Sequence, residues 1–240
     1  MNLTKEASQK LINLLNACKT AAIETLIISK DTIRGIDENR TVVITTNVEV
    51  PDFQDHSICL NRLNTLLSRI NLVKDDDFKI DMKEDNRNKE AISTLNIETD
   101  SVKVQYRAGS IEIFDKKIPK AVRDEHSFAV TLPVSKLPLI TNAISSMSGA
   151  TDILFTLKND GMSIELVDQN LDTFTSKISD EVTEIDGRPS FYSFKYNIKS
   201  IIPILKAAGS GQESVVLVFG KKGTLELTLN GYPFILMPKA

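Results

Sequence analysis

The sequence predicts an α+β fold made of two pseudo-equivalent domains, each with two helices packed on antiparallel sheets. Its 240 residues are enough for two domains of about 110 to 120 residues each. A hydrophobic content of 41% and a charged content of 25% are those of an ordinary globular chain. The strongest observation is internal repetition, because one pattern of a helix followed by a hairpin recurs along the chain.

Four segments share an apolar strand, a polar turn and a second, alternating strand. They are 24–37, 77–97, 152–168 and 213–230. The sequences Asn159-Asp160-Gly161 and Lys221-Lys222-Gly223 supply the residue types that hairpin turns require. Four further strands are predicted at 41–50, 102–108, 173–179 and 232–237.

An amphipathic helix precedes each hairpin. The starts are marked by residues whose side chains can accept hydrogen bonds from exposed backbone N–H groups: Thr4, Asn61, Ser135 and Asn197 or Ser200. Pro138 fits the first turn after Ser135. Pro203 fits a first turn only if its helix begins at Ser200, so we prefer that start.

The repeats also predict the domain organisation. Each half of the chain holds two helix-plus-hairpin units, and the segment between the halves follows neither helical nor strand periodicity throughout. We therefore predict an N-terminal domain at 1–108, an interdomain connector at 109–126 and a C-terminal domain at 127–240. Cys18 and Cys59 lie in or beside apolar patterns and are predicted to be buried, in a reducing environment.

Positive charge is concentrated on the four helical stretches. They carry a net charge of +7, with Glu6 as the single acid, inside a chain whose net charge is −3. Solvated helix faces ordinarily mix both signs, so this composition predicts a surface that neutralises phosphates without reading bases. An ordinary solvated face stays open as the alternative for any one helix. The predicted DNA-binding residues are Lys5, Lys10, Lys19, Arg62, Arg69, Lys136, Lys199 and Lys206.

The sequence offers little for catalysis. It has two histidines, His56 and His126, and no metalloprotease spacing that could hold a catalytic zinc. Gly209-Ser210-Gly211 follows a predicted helix and precedes a strand, the reverse of a phosphate-binding loop. The loop acids lack calcium-loop spacing: Asp75, Asp76, Asp77, Asp81, Glu84 and Asp85. We predict no enzyme activity, no catalytic residue, no metal and no cofactor.

Together these features resemble the trimeric DNA sliding clamps, meaning proliferating cell nuclear antigen and the T4-type phage clamps. The most specific local matches are 33–43 (IRGIDENRTVV) and the ending Leu236-Met237-Pro238-Lys239. The resemblance covers essentially the whole chain, and the connector looks more phage-like. It implies a homotrimeric processivity factor that encircles double-stranded DNA without sequence preference. The implied partners are a DNA polymerase and a clamp loader.

The resemblance implies two further sites. Head-to-tail ring closure would use one edge strand from each domain, and the implied interface residues are Val102, Val104, Tyr106, Phe174, Ser176 and Ile178. A pocket for partner peptides would lie beneath the connector and beside the C-terminus. Its implied residues are Ile36, Val43, Ile111, Ile113, Phe114, Ile118, Ile235, Met237 and Pro238. The alternative that several of them are plain core stays open.

Two other functions stay open on the sequence alone. One is a monomeric processivity factor of the same fold that binds DNA by a basic face. The other is a protein-interaction scaffold with no DNA role. No apolar run approaches the roughly 18 residues of a membrane-spanning helix, so we expect no membrane partner and an intracellular location. That location would be the bacterial cytosol for a phage protein or the nucleus for a eukaryotic one.

Overall fold

The chain forms two compact units. The computed structural model describes residues 3–46, 56–73, 78–158, 161–186 and 191–239. Unit 1 comprises Met1–Glu38 and Val43–Val122, and unit 2 comprises Asn39–Val42 and Arg123–Ala240. Several predicted features lie outside the described residues: the turn residues Asn159 and Asp160, the strand end at 47–50 and the acidic run Asp75–Asp77.

The first half of the chain alternates helices with short strands. In order they are α1 (Lys5–Thr20), β1 (Ile23–Ile28), β2 (Ile33–Asp37), β3 (Val42–Thr46), β4 (Ser57–Leu60), α2 (Leu63–Asn71), β5 (Lys79–Glu84), β6 (Ala91–Glu98), β7 (Lys103–Arg107) and α3 (Ile111–Asp115). Their strands follow the order β3-β2-β1-β4-β6-β5, and β7 also pairs with β6. These neighbours are antiparallel except for β4 and β6, which are parallel over two residue pairs.

The second half of the chain forms two sheets in unit 2. After β8 (His126–Pro133) and a 3-10 turn (Val134–Lys136) come α4 (Leu137–Ser146), β9 (Asp152–Lys158), β10 (Gly161–Val167), β11 (Thr173–Ser179), β12 (Val182–Glu184), β13 (Tyr192–Asn197), α5 (Ile198–Ala208), β14 (Ser214–Gly220), β15 (Leu225–Leu229) and β16 (Tyr232–Leu236). One sheet has the order β12-β8-β14-β15-β16, and the other has the order β11-β10-β9-β13.

The predicted hairpins are confirmed. β1 with β2, β5 with β6, β9 with β10 and β14 with β15 all pair antiparallel. The strands predicted at 102–108, 173–179 and 232–237 correspond to β7, β11 and β16. The pattern did not predict β4, β8, β12, β13 or the five-residue helix α3, which lies inside the predicted connector.

The helix starts differ in part from the prediction. Thr4 caps α1 as predicted, with its Oγ1 accepting a hydrogen bond from the N–H of Ala7 at 3.2 Å. Arg62, not Asn61, precedes α2. Ser135 lies within the 3-10 turn before α4, although Pro138 does lie in the first turn of that helix.

The preferred start of the fourth predicted helix was wrong. α5 begins after Asn197, whose Oδ1 accepts from the N–H of Lys199 at 2.8 Å. Pro203 therefore lies inside the helix. Both Pro203 and Lys199 are exposed, so water can bond the Lys199 carbonyl that lacks a proline N–H donor.

Different elements cover the two faces of the unit 1 sheet. Side chains alternate along β1, so Ile27 and its β4 neighbour Cys59 point to one face while Leu26 and Ile28 point to the other. Residues of α3 pack against Ile27 and Cys59. α1 and α2 also contact β1 and bury their apolar sides, so they lie on the opposite face.

The two cysteines belong to the core of unit 1. Both are buried free thiols, which confirms that they act as small hydrophobes. Burial raises the pKa of the Cys59 thiol to about 12 and raises the pKa of Cys18 even further. Neither thiol is therefore a thiolate at neutral pH.

An aromatic cluster fills the core of unit 2. Phe128, Phe155 and Tyr192 pack around Phe219, with ring centroids 5.0 to 5.9 Å apart, and Tyr196 packs against Phe155 at 5.6 Å. The buried Tyr196 hydroxyl donates to the carbonyl of Gly223 at 2.7 Å, which anchors the turn between β14 and β15 to this core. In the described part of the chain, no helix is both long and apolar enough to cross a membrane.

Candidate nucleic-acid interface

The predicted basic residues of α1 lie on its solvated side. Lys5, Lys10 and Lys19 are all exposed, while Leu11, Leu14, Leu15 and Cys18 are buried. Nζ of Lys10 lies 2.7 Å from Oε1 of Glu6 one turn earlier. The single acid of the predicted surface therefore offsets one of its charges, and Lys5 and Lys19 remain as the other cations of this helix.

α5 presents two lysines opposite its buried side. Ile198, Ile201, Ile204 and Leu205 are buried, and Lys199 and Lys206 are exposed. The lysines are seven residues apart, about two turns, so both project from the same side of the helix. Neither has a side-chain ion pair among the described residues.

α4 contributes less charge than the other long helices. Its sequence from Leu137 to Ser146 contains no charged residue, and Lys136 lies in the 3-10 turn immediately before it. The Lys136 side chain is only partly exposed. The positive charge of unit 2 that the sequence assigned to helices thus lies mainly on α5.

Arg62, immediately before α2, and Arg69, in its last turn, have partners that the sequence did not predict. Nη2 of Arg62 donates to the carbonyl of Arg107 at 3.0 Å, and its guanidinium lies 5.4 Å from the centre of the Tyr106 ring. Nη1 of Arg69 donates to the carbonyl of Gln105 at 2.7 Å. Both arginines therefore bind the backbone of β7, the strand that the resemblance assigns to the subunit interface.

β7 and β11 each present a sheet edge. Among the described residues β7 pairs only with β6, and β11 pairs only with β10. The carbonyls of Gln105 and Arg107 accept hydrogen bonds from Arg69 and Arg62. The backbone N–H and C=O groups of these two β7 residues therefore point away from β6. The outer edge of β7 is thus partly hydrogen-bonded by side chains, and no strand from the described ranges lies beside it.

The side chains predicted at this interface differ in accessibility. Val102, Val104, Phe174 and Ser176 are partly exposed. Tyr106 and Ile178 are buried within their own units, and the Tyr106 hydroxyl accepts from the N–H of Arg62 at 3.3 Å. Burial also raises the pKa of Tyr106. The side chains at these two positions are therefore not available to a neighbouring chain.

Four residues of the predicted partner pocket come together in unit 1. Ile118 is buried with Ile27 and Cys59, and Ile36, Ile111 and Phe114 pack against them while remaining partly exposed. Val43 is buried opposite Ile36 in the sheet. This agrees with the open alternative that some of the predicted pocket residues belong to the core. Ile113 is 59% exposed. The remaining residues, Ile235, Met237 and Pro238, lie in unit 2 and are partly exposed.

An ion pair fastens α3 to the hairpin of β1 and β2. Nη2 of Arg34 on β2 pairs with Oδ1 of Asp115, the last residue of α3. The Arg34 side chain is only 13% exposed. The hydrogen bond from Arg34 and its positive charge hold the pKa of the Asp115 carboxyl below its usual value. Sequence reasoning missed this pair because its members are 81 residues apart.

Replacing Asp115 should destabilise unit 1 in a pH-dependent way. Asp115→Asn leaves the largely buried Arg34 charge unpaired, and we expect the free energy of unfolding at pH 7 to fall by about 1 to 3 kcal/mol. A lowered folded pKa stabilises the fold above the unfolded pKa of about 3.9, and this contribution is lost as pH falls through the folded pKa. The difference between wild type and Asp115→Asn should therefore shrink below about pH 4.

Urea unfolding from pH 7 to pH 2.5, at one fixed protein concentration, measures this difference. Glu112→Gln, an exposed acid on the same helix, is the matched control and should change stability by less than about 0.5 kcal/mol. A destabilisation by Asp115→Asn that stays constant down to the lowest pH would show that the ion pair is not its cause.

Comparison with known proteins gives a fold but no close sequence relative. No protein-family model matches this sequence, and no curated protein sequence matches it. The DNA polymerase III subunit beta of Pseudomonas aeruginosa matches with a TM-score of 0.66 and 13% identity. That match covers 100% of this chain and 66% of the bacterial one, so the chain spans about two thirds of its length.

PCNA structures match over nearly their full length. A. fulgidus PCNA, solved with the C-terminal region of FEN-1 bound, gives a TM-score of 0.62 at 13% identity and covers 95% of this chain and 96% of that chain. PCNA of Thermococcus kodakaraensis gives 0.64 at 12% identity, with 97% of each chain covered. The chain therefore has the DNA sliding-clamp fold, which confirms the fold class predicted from the sequence.

Proposed function

We propose that the chain is a subunit of a ring-shaped sliding clamp, a non-enzymatic processivity factor that encircles duplex DNA. The observation that carries the proposal is the exposed, one-sided charge of α1 and α5 on a clamp fold. Lys19, Lys199 and Lys206 are exposed and have no ion-pair partner among the described residues. Such lysines attract any phosphate backbone and read no base, so they hold DNA without fixing its position.

Ring closure is supported by the strand edges. β7 and β11 are separate sheet edges in different units, and a head-to-tail contact between unlike edges closes into a ring when the rotation permits. We infer a homotrimer because the chain corresponds to nearly all of two PCNA chains but to about two thirds of the bacterial beta subunit. A chain with fewer domains needs more copies to complete the same ring.

The partners follow from this function. We infer a DNA polymerase that the ring tethers and a clamp loader that opens it, in an intracellular setting where DNA is replicated. The partly exposed Ile111 and Phe114 support a docking place for partner segments. A. fulgidus PCNA, a chain of the same fold, was solved with the C-terminal region of FEN-1 bound. The chain's role is topological, and it requires no cofactor.

Retention on circular DNA tests encirclement. The chain is loaded on nicked circular plasmid with a clamp loader from the same genome, and the complex is passed over a sizing column in about 0.3 M salt. We expect retention on the circle and loss within minutes after a restriction enzyme linearises it, because a ring slides off free ends. Equal retention on both forms would indicate adhesion by a basic face, and no retention at low salt would favour a scaffold without a DNA role.

A further inference from the structure

The connector carries a positive and partly apolar surface that the proposed DNA contacts leave unused. We propose that this connector surface, formed by α3 with Lys116, Lys117 and Lys120, binds an acidic segment of a partner protein. Apolar side chains of that segment would lie against α3, and its carboxylates would face the three lysines. The inference rests on the proposed function, which supplies the partners, and it specifies that the binding segment of such a partner is acidic.

The apolar part of the connector surface is more exposed than its composition would suggest. None of the five residues of α3 is buried, although three of them are Ile111, Ile113 and Phe114. Ile113 is 59% exposed, while Ile111 and Phe114 cover Ile27 and Cys59 with one side and face solvent with the other. A short helix that exposes isoleucine and phenylalanine beside a core cluster offers an anchoring place for apolar side chains.

The charged part follows directly along the chain. Lys116, Lys117 and Lys120 are exposed, and no acid occurs between Asp115 and Asp124. Asp115 is already paired with Arg34. Nζ of Lys120 lies 4.0 Å from Oδ2 of Asp115, and the Lys120 side chain is 81% exposed, so Asp115 neutralises its charge only weakly. Nζ of Lys117 lies 5.3 Å from the centre of the Phe114 ring, so one cation borders the apolar part directly. Carboxylates are the complementary groups for this arrangement.

Backbone contacts hold the connector surface in place before any partner arrives. The N–H groups of Lys117 and Ile118 donate to the carbonyl of Phe114 at 2.9 and 3.2 Å. The N–H of Gly109 donates to the carbonyl of Cys59 at 2.8 Å, and Thr45 Oγ1 donates to the carbonyl of Lys120 at 3.4 Å. A surface that is already ordered loses little conformational entropy on binding.

Position favours a protein partner over nucleic acid. α3 covers the Ile27 and Cys59 face of the unit 1 sheet, and α1 and α2 cover the opposite face. DNA held against the helices therefore cannot reach the connector lysines of the same unit at the same time.

Two fluorescein-labelled peptides test the charge preference. Both have the same leucine and phenylalanine core, flanked by four glutamates in one peptide and by four lysines in the other. At about 50 mM salt we expect the full chain to bind the acidic peptide at least about tenfold more tightly, measured by fluorescence anisotropy. Combined Lys116→Glu, Lys117→Glu and Lys120→Glu should abolish this preference, and Ile113→Ser should weaken binding of both peptides.

The matched control reverses the same number of charges elsewhere. Lys79, Lys83 and Lys89 are exposed residues of β5 and the loop after it, and their reversal to glutamate should leave the preference within about twofold. Equal or absent binding of the two peptides would overturn the proposal, as would an equal reduction in the control. If the connector reversal lowered affinity for duplex or single-stranded DNA as much as for the peptide, the surface would be a nucleic-acid site instead.

The peptide measurement is independent of encirclement, because it uses no DNA and no loader. If the chain prefers the acidic peptide but dissociates equally from circular and linear DNA, the proposed function is refuted and the connector preference is supported. A chain retained on circular DNA that binds both peptides equally would refute only the connector preference.

Discussion

A proline at position 105 is expected to convert the proposed ring of three chains into single chains. Gln105 lies in the middle of β7, and its carbonyl faces the open edge, where it accepts from Arg69. Backbone N–H and C=O groups of one residue point to the same side of a strand. Gln105→Pro therefore removes an N–H from the open edge and places a ring there, while the pairs of Val104 and Tyr106 with β6 keep their hydrogen bonds.

Light scattering at about 10 μM measures the result. We expect three times the 26.6 kDa chain mass for the wild type and one chain mass for Gln105→Pro. Disrupting strand pairing at every subunit interface should cost several kcal/mol, a weakening of at least about a hundredfold per interface. Retention on circular DNA should disappear in parallel.

The control is Gln105→Ala, which removes the side-chain bond to Asn96 but keeps the backbone N–H. It should remain a trimer. Circular dichroism shows whether the proline variant is folded, since a proline edge is tolerated only where every internal ladder bond is kept. A folded Gln105→Pro chain that keeps three times the chain mass would exclude β7 as an interface strand.

The hairpins were predictable because their signals are local. Alternating apolar residues on either side of a Lys-Lys-Gly turn specify β14 and β15, and Gly223 at φ +95° meets the backbone requirement that makes glycine favoured there. The Thr4 cap is equally local, since its partner is three residues away. Another local rule, the preference of proline for the first turn of a helix, failed at Pro203. The Asn197 cap and the access of water to the Lys199 carbonyl outweigh that preference.

The site was less predictable because its contacts join distant residues. The sequence predicted Arg62 and Arg69 as DNA-binding residues, but their acceptors on β7 are 45 and 36 residues away. No periodicity carries that information. The consequence is physical, since an edge whose outward carbonyls accept from arginines is less available for uncontrolled strand pairing. Composition predicted that the helices carry positive charge. Only the structure shows that this charge is shared between exposed lysines and two arginines that bind the backbone of β7.

Removing three helix lysines is expected to weaken DNA binding more than removing the two arginines. Lys19, Lys199 and Lys206 are exposed, whereas Arg62 and Arg69 already bind backbone carbonyls of β7. Every phosphate that the protein no longer neutralises should reduce the slope of log K against log salt by about 0.9. Changing the three lysines to alanine should therefore lower affinity for a 30-base-pair duplex about 10- to 100-fold near 0.1 M salt and flatten the slope by up to about 2.7 per chain.

Anisotropy titrations from about 50 to 250 mM salt give both quantities. The matched control changes Lys79, Lys83 and Lys89 to alanine, which removes the same charge from a strand and loop outside the helices and should leave the slope within about 0.5. Arg62→Ala with Arg69→Ala should flatten the slope by less than the lysine variant.

If the control variant flattens the slope as much as the helix-lysine variant, long-range net charge explains the attraction and the helices have no special part in it. If the arginine pair has the larger effect, those side chains must leave β7 for the phosphates, because a guanidinium N–H that donates to a backbone carbonyl must break that bond before it can donate to a phosphate oxygen.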